Sequence, residues 1–442
     1  MMKKLLILAY DFPPYVSVGG LRPYAWHKYM KEYGVEPIVV TRQWSNKYGN
    51  ELDYIAPSES NETIVEETEY GTIIRTPYKS NLANRIMLKY GRNKFALVRK
   101  MVTAWYEFMQ FLFFVGPKSG LYRGAKEYLK KNKVDVIIAT GEPFVLFKYA
   151  STLSKKYNIP WIADYRDPWS QNKNRSNMEF KRKWNEHFEK KFTNNAQYVT
   201  TVGESFKIQI ETLVKSQFYI INNGFDSESV EKASKIQQSN DILRIAFVGR
   251  IYKWHPVECV LEVFANFIKS HNNPKIELNF YGINIENELK GLVNAKYPCL
   301  IGHVNIYNKM PNDKLIECLA KHNLMLLFNY YNFMGTKIYD YLGIKRRILL
   351  CYSNDPCANE LKAKYYPSAT QIGNPHLQEE LIKETKSGII LENKVHLEKV
   401  LESLYEEFIE KGCIECNSVG VENYSRKAQT KQLADIIKNN IR

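Results

Sequence analysis

The stretch LLILAYDFPPYVSVGGLRPYAWHKYM, residues 5–30, sets the reading of the whole chain. It opens as an unbroken apolar run, Leu5 to Tyr10, and then meets Asp11, Pro13 and Pro14, and shortly afterwards Gly19 and Gly20. It resumes with helical spacing that carries Arg22 and Trp26. An apolar run without polar alternation marks a strand covered on both faces, as in parallel sheets packed between helices. The prolines end such a strand, while the glycines let backbone approach a ligand closely and leave amide donors at a helix start. Open parallel sheets bind ligands beyond the carboxyl ends of their strands. The stretch therefore predicts a strand, a binding loop and a helix, although a plain strand-to-helix connection draws on the same residue types.

The pattern recurs along the chain. PIVVT (37–41), DVIIAT (135–140), PWIADY (160–165), YVTTVG (198–203) and FYIINNG (218–224) read as further buried strands separated by helix-length segments. After the polar run SESVEKASKIQQSND (227–241) it restarts with ILRIAFVG (242–249), IELNFYG (276–282), LMLLFNYY (324–331) and RILLCY (347–352). Strands alternating with helices predict an α/β fold with doubly wound parallel sheets. At 442 residues the chain exceeds the roughly 250–300 that one core supports, so two Rossmann-like domains are expected, 1–226 and 242–420, with 227–241 as linker. No internal repeat or low-complexity tract is present.

Composition narrows the class. An apolar fraction of 45%, with 13% aromatics, fits globular cores and excludes a disordered chain. The net charge of +15 is uneven: residues 1–225 hold 34 Lys and Arg against 21 Asp and Glu, residues 226–442 hold 28 against 26. Residues 75–133 alone carry 14 basic and 2 acidic side chains, which points to an anionic partner or a solvated lysine-rich face. All seven cysteines lie in the second half, with one CxxC at Cys413 and Cys416. An odd count without a secretory signal predicts reduced thiols in a cytoplasm, and a lone CxxC falls short of the four ligands usual for zinc. The N-terminal apolar run is too short for a signal peptide, and WYEFMQFLFFVG (105–116) too short to span a bilayer. A cytoplasmic chain is expected, soluble or peripheral on the inner face of the membrane.

Two segments of the second half carry ligand-binding chemistry. In IAFVGRIYKWHPVECVLEVF (245–264) a strand runs into Gly249, then Arg250 and Lys253, then an amphipathic helix. Two cations at a strand's carboxyl end suit a diphosphate, though surface cations are also commonly just solvated. In FNYYNFMGTKIYDYLGIKRRILL (328–350) a strand is expected to end near Tyr331, and Thr336 is expected to cap the next helix. Lys337 and Asp340, three apart, share a face of its first turns. A cation for phosphate and a carboxylate for paired hydroxyls describe a nucleotide-sugar pocket; the alternative is a helix-surface ion pair.

These motifs resemble the GT-B glycosyltransferases, specifically glycosyltransferase family 4 and its bacterial polysaccharide branch. The resemblance rests on FPP…GG…R, DYRDPW (164–169), NNGFD (222–226), FVGR…K (247–253), GTKIYDYLG (335–343) and YSRKAQTKQLADIIK near the end. It implies two Rossmann-like domains facing across a cleft, with an acceptor held by the first, a donor nucleotide sugar by the second, and retention of anomeric configuration. It also implies that the closing helical segment, 421–442, returns to the first domain. By the same resemblance Gly19 and Gly20 approach the donor diphosphate, and Arg250 and Lys253 form the basic catalytic pair. Thr336, Lys337, Asp340 and Val304 join the donor site, with Asp340 at the second Glu of the family's Glu, seven residues, Glu motif. The first Glu falls at Asn332. The family's catalytic-loop histidine has no match in ATGEPFVLF (139–147), where Glu142 is the candidate instead.

The acceptor side is assigned to Arg22, Asp164, Arg166 and Asp167; the charges of DYRDPW either orient acceptor hydroxyls or clamp their own loop. No Asp-x-Asp pair occurs in the chain, so no metal and no other cofactor is expected, the phosphates being neutralised by Arg250, Lys253, Lys337 and helix dipoles. The expected partners are a nucleotide-sugar donor, a saccharide or lipid-linked acceptor and an anionic membrane surface, with no nucleic acid. Two other classes compete: a nucleotide-sugar 2-epimerase, which would turn over donor without acceptor, and a basic nucleic-acid-binding protein, which would show salt-sensitive retention of DNA or RNA.

Overall fold

The computed structural model describes residues 2–15, 17–45, 51–172, 178–366 and 371–441. It divides into two compact units: residues 1–222 together with 427–442, and residues 223–426.

The first unit is built on eight strands: β1 Lys3–Leu8, β2 Val35–Arg42, β3 Ile64–Glu67, β4 Thr72–Thr76, β5 Val136–Gly141, β6 Trp161–Tyr165, β7 Tyr198–Thr201 and β8 Gln217–Ile220. Their spatial order is β3-β4-β2-β1-β5-β6-β7-β8. All pairs are parallel except β3 with β4. The central strands are apolar on both faces because helices cover both; Leu5 to Leu8 and Val136 to Ala139 are fully buried. The edge strand β3 and its neighbour β4 were not expected from the sequence. They are four and five residues long; β3 is largely exposed, and β4, though buried, has only Ile73 and Ile74 as apolar residues, so neither shows as an apolar run. The helix Arg426–Asn440 packs Leu433, Ala434 and Ile437 into the core that holds Leu5 and Ile7, and Lys3 donates to the carbonyls of Ile437 and Ile441.

The second unit holds β9 Leu243–Val248, β10 Ile276–Tyr281, β11 Val304–Tyr307, β12 Leu324–Phe328, β13 Arg347–Cys351 and β14 Gly388–Leu391. They form one parallel sheet in the order β11-β10-β9-β12-β13-β14. The short strands β11 and β14, at its two edges, also escaped the sequence reading. Where the segments 223–226 and 424–426 run side by side, Phe225 pairs with Ser425. A β-carbon at Gly224 would stand 2.6 Å from the Tyr424 carbonyl oxygen, which gives the glycine of NNGFD a packing reason.

Two expectations need correction. Residues 227–241 do not form a free linker: Asp226 caps the helix Ser227–Ser234, and Val230 and Ala233 pack into the core of the second unit. The thiols are not all reduced either. Cys259 and Cys357, each in the first turn of a helix, are brought together and disulfide-bonded, while the other five cysteines are free. Among the described residues no helix is long and apolar enough to cross a membrane.

Candidate active site

In the second unit β9 and β12 are neighbours, so their carboxyl ends lie side by side. Beyond β9 the chain turns at Gly249, whose φ of +107° is open only to glycine, and presents Arg250 and Lys253 to solvent. β12 ends at Phe328, three residues earlier than expected, because Tyr331 already adopts a left-handed conformation with φ 56°. The following loop delivers the helix Lys337–Ile344. Thr336 occupies its N-cap position but with helical dihedrals and no capping hydrogen bond from its side chain, so the expected cap is absent.

Lys337 lies against the end of β9, its Cγ 3.8 Å from where a β-carbon on Gly249 would sit. Its ammonium donates to Asp340 Oδ2 at 3.2 Å, and Asp340 is buried. The structure thus brings Gly249, Lys337 and Asp340 together, with Arg250 following directly. An aromatic wall supports them. The Arg250 guanidinium lies 5.7 Å from the Tyr252 ring, which stacks on Trp254 at 4.4 Å. Lys253 lies 5.8 Å from the Tyr365 ring. The Tyr252 amide donates to His255 Nδ1, and burial pushes His255 down to about 3, which keeps this histidine uncharged.

Asn332, at the family's missing carboxylate, is buried and donates to the Gly373 carbonyl at 2.7 Å. It ties one loop to another where a carboxylate would repel that carbonyl. Val304 stands apart: it begins β11, two strands from β9, level with Leu278 and well before the carboxyl edge, and packs on the apolar core.

In the first unit the acceptor-side candidates divide. Asp164, fully buried at the end of β6, accepts from Arg22 Nε and Nη2 at 3.1 and 2.9 Å and from the hydroxyls of Thr140 and Thr200, both at 2.8 Å. Arg22 Nη1 donates to the carbonyls of Ile221 and Asn222. This pair clamps the first helix to the sheet, and its donors and acceptors are spent on that. Arg166 donates to the carbonyls of Gly141 and Glu142 at 2.9 and 2.6 Å, holding the loop after β5. Glu142 on that loop is exposed, and Asp167 is partly exposed.

Gly19 and Gly20 open the helix Val18–Tyr29, their amides donating to Ser17 Oγ and Ser17 O. A β-carbon at Gly19 would stand 2.1 Å from Arg166 Nη1, so Gly19 seats that guanidinium.

Asp11 is a residue the sequence reading passed over. One of its oxygens accepts from Ser17 Oγ at 2.6 Å, and the other is buried without a partner. Burial raises its carboxyl above the ordinary range, while Arg166 and Lys118 pull it the other way and Glu142 pushes with burial. Its place at the end of β1, two residues before the prolines, was the signal available.

A model of Glycosyltransferase Family 4 matches residues 24–229. No curated protein matches the sequence significantly. Among solved structures, sucrose-phosphate synthase from Thermosynechococcus elongatus is similar with a TM-score of 0.58 at 13% identity, over 99% of this chain and 98% of that one. The E. coli trehalose-6-phosphate protein bound with UDP-2-fluoro glucose gives 0.53 at 13% identity, over 99% and 96%. Anabaena HepE in complex with UDP gives 0.51 at 12%, over 99% and 100%. The family model likens the chain to family 4 over residues 24–229, and the solved structures give it the GT-B fold along its whole length.

Proposed function

We propose that the protein moves a sugar from a nucleotide-sugar donor to a saccharide or lipid-linked acceptor in cell-surface polysaccharide synthesis, with retention. The observation that carries this is the meeting of Lys337, Asp340 and Gly249, with Arg250 next in the chain, at the carboxyl edge of β9 and β12. Lys337 at a helix N-terminus, with Arg250 following Gly249, favours a diphosphate, and most strongly when charge builds on it as the sugar bond breaks. Asp340 is poised to exchange its Lys337 contact for ribose hydroxyls. With these cations the reaction is proposed to need no metal; loss of activity in EDTA, restored by Mg²⁺, would contradict that. A uridine nucleotide is the first donor to try, since two of the structural neighbours hold one.

The helices Leu82–Tyr90 and Ala96–Leu112 support a place at an anionic membrane surface. Leu97 is 72% and Met101 65% exposed, with Leu88 and Trp105 also open to solvent, and Arg85, Lys89 and Lys100 are exposed among them. Apolar groups that insert shallowly and cations at about 1 kcal/mol each would hold the protein there.

The test is release of nucleoside diphosphate from nucleotide sugars, with and without a lipid extract containing glycolipids. Acceptor-dependent release supports the proposal. Equal turnover without acceptor would favour an epimerase or a hydrolase.

A further inference from the structure

Beyond the carboxyl ends of β1, β2 and β4 the first unit contains a cavity of about 210 Å³. Tyr10, Tyr54 and Tyr78 line one side, and Asn84, Gln110 and Lys118 are among the polar groups facing it. Its walls are fixed in place by Arg42. That guanidinium donates to Tyr10 Oη at 3.1 Å, to the Tyr54 carbonyl at 2.8 Å and to the Ala56 carbonyl at 2.8 Å, and lies over the Tyr78 ring at 3.4 Å. Asn84 adds a 2.9 Å bond to Tyr78 Oη. The aromatic faces are therefore held ready rather than free to collapse.

Lys118 is different. Its ammonium lies 5.8 Å from the Tyr10 ring, and among the described residues it makes no ion pair and no hydrogen bond. Burial lowers its pKa, with the carboxylates of Glu142, Glu107 and Asp11 acting the other way; Glu107 also lines the cavity, its charge paired with Lys181 at 2.8 Å. A partly stranded cation in a preformed pocket is a site that an anion completes. The volume is below the ~300 Å³ at which drug-sized pockets begin, which suits a single sugar ring rather than a nucleotide sugar. Tyrosine faces suit the apolar faces of such a ring, and the amides of Asn84 and Gln110 suit its hydroxyls.

We propose that this cavity is the acceptor site and takes a monosaccharide that carries an anionic group, a sugar phosphate, with Lys118 on the phosphate. The proposal rests on the glycosyltransferase reading and names its acceptor class. The phosphate belongs either to a free sugar phosphate or to a lipid-diphosphate sugar; the helices that supply Asn84 and Gln110 also carry the exposed apolar side chains described above.

The experiment is calorimetric titration of the full chain with glucose 1-phosphate, with dodecyl diphosphoglucose, and with neutral methyl glucoside, each alongside UDP. At least one phosphorylated probe should bind, and Lys118→Met should weaken it tenfold or more while leaving UDP and methyl glucoside unchanged. Thr103→Trp, at an exposed position on the cavity rim, should block all three sugars without disturbing the core. Binding of dodecyl diphosphoglucose alone assigns the lipid-linked source, and binding of both assigns the shared head group. Phosphorylated probes that bind equally well to both variants, or do not bind to a protein that takes up UDP, overturn the proposal. A wild-type protein that binds no nucleotide counts instead against the donor reading, and the acceptor assignment falls with it.

Discussion

Replacing Asp164 by Asn would show whether the charges of DYRDPW serve chemistry or architecture. Asp164 is fully buried and accepts four hydrogen bonds, two of them from Arg22. The substitution keeps the size but removes the charge, and puts an amide NH₂ where an acceptor stood. Arg22, itself buried, is left without a counter-ion. Breaking such a pair from one side typically costs about 3–5 kcal/mol, because the surviving charge stays out of water. For a unit of this size each 1 kcal/mol lowers the melting temperature by roughly 2–4 °C, so a drop of roughly 6–20 °C is expected. Thermal unfolding followed by circular dichroism measures it, and Arg22→Met combined with Asp164→Leu should recover much of the loss. A variant that melts within about 2 °C of wild type yet has lost its turnover would refute the reasoning and put Asp164 in contact with substrate.

Lys337→Ala should lower both donor affinity and turnover, whereas Asp340→Asn should act mainly on donor affinity, by about 1.5–3 kcal/mol for each charge-assisted bond to ribose; wild-type kinetics in a folded Asp340→Asn protein would contradict this. Gly343→Ala should destabilise by about 1–3 kcal/mol, since its β-carbon would stand 2.7 Å from Phe225 and Val230, and an unchanged unfolding midpoint would count against that packing. His27, His255 and His322 are held by burial at about 4, 3 and 4. A depressed histidine takes its proton more readily in the unfolded chain. Stability is therefore full above pH ~6.5 and falls as pH drops toward the folded values, by about 2 kcal/mol per histidine at pH 5; a flat urea midpoint between pH 7 and 5 would contradict it. Flotation with phosphatidylglycerol vesicles at low salt should capture the wild type and release Leu97→Asp with Met101→Asp; equal capture of both would remove the two helices from the membrane contact.

The central strands were legible because burial on both faces leaves a continuous apolar run, as in Leu5–Tyr10 and Leu324–Phe328. The edge strands β3, β11 and β14 and the inner strand β4 were not, because none of them carries an apolar run longer than three residues. The polar segment 227–241 read as a linker because its apolar contribution comes from Val230, Ala233 and Ile236, too little for a periodic signal. On the donor side, the ordering of Gly249, Arg250, Lys337 and Asp340 followed from strand ends and helix starts. Which charges are spent internally was not legible. Arg22 with Asp164 and Gly19 with Arg166 pair residues distant in sequence, and nothing in DYRDPW itself shows that its first aspartate is sealed in the core. Lys118 and Tyr54 were missed for the converse reason, since the cavity they line is assembled from loops and helices far apart in the chain.

The most direct measurement is calorimetric titration of the full chain with UDP, GDP and ADP, repeated on Arg250→Ala with Lys337→Ala. The account predicts that one of the three binds the wild type and that the double variant, folded by circular dichroism, binds it at least tenfold more weakly. If none binds, or if the double variant binds as tightly as the wild type, the donor site is not at the carboxyl edge of β9 and β12.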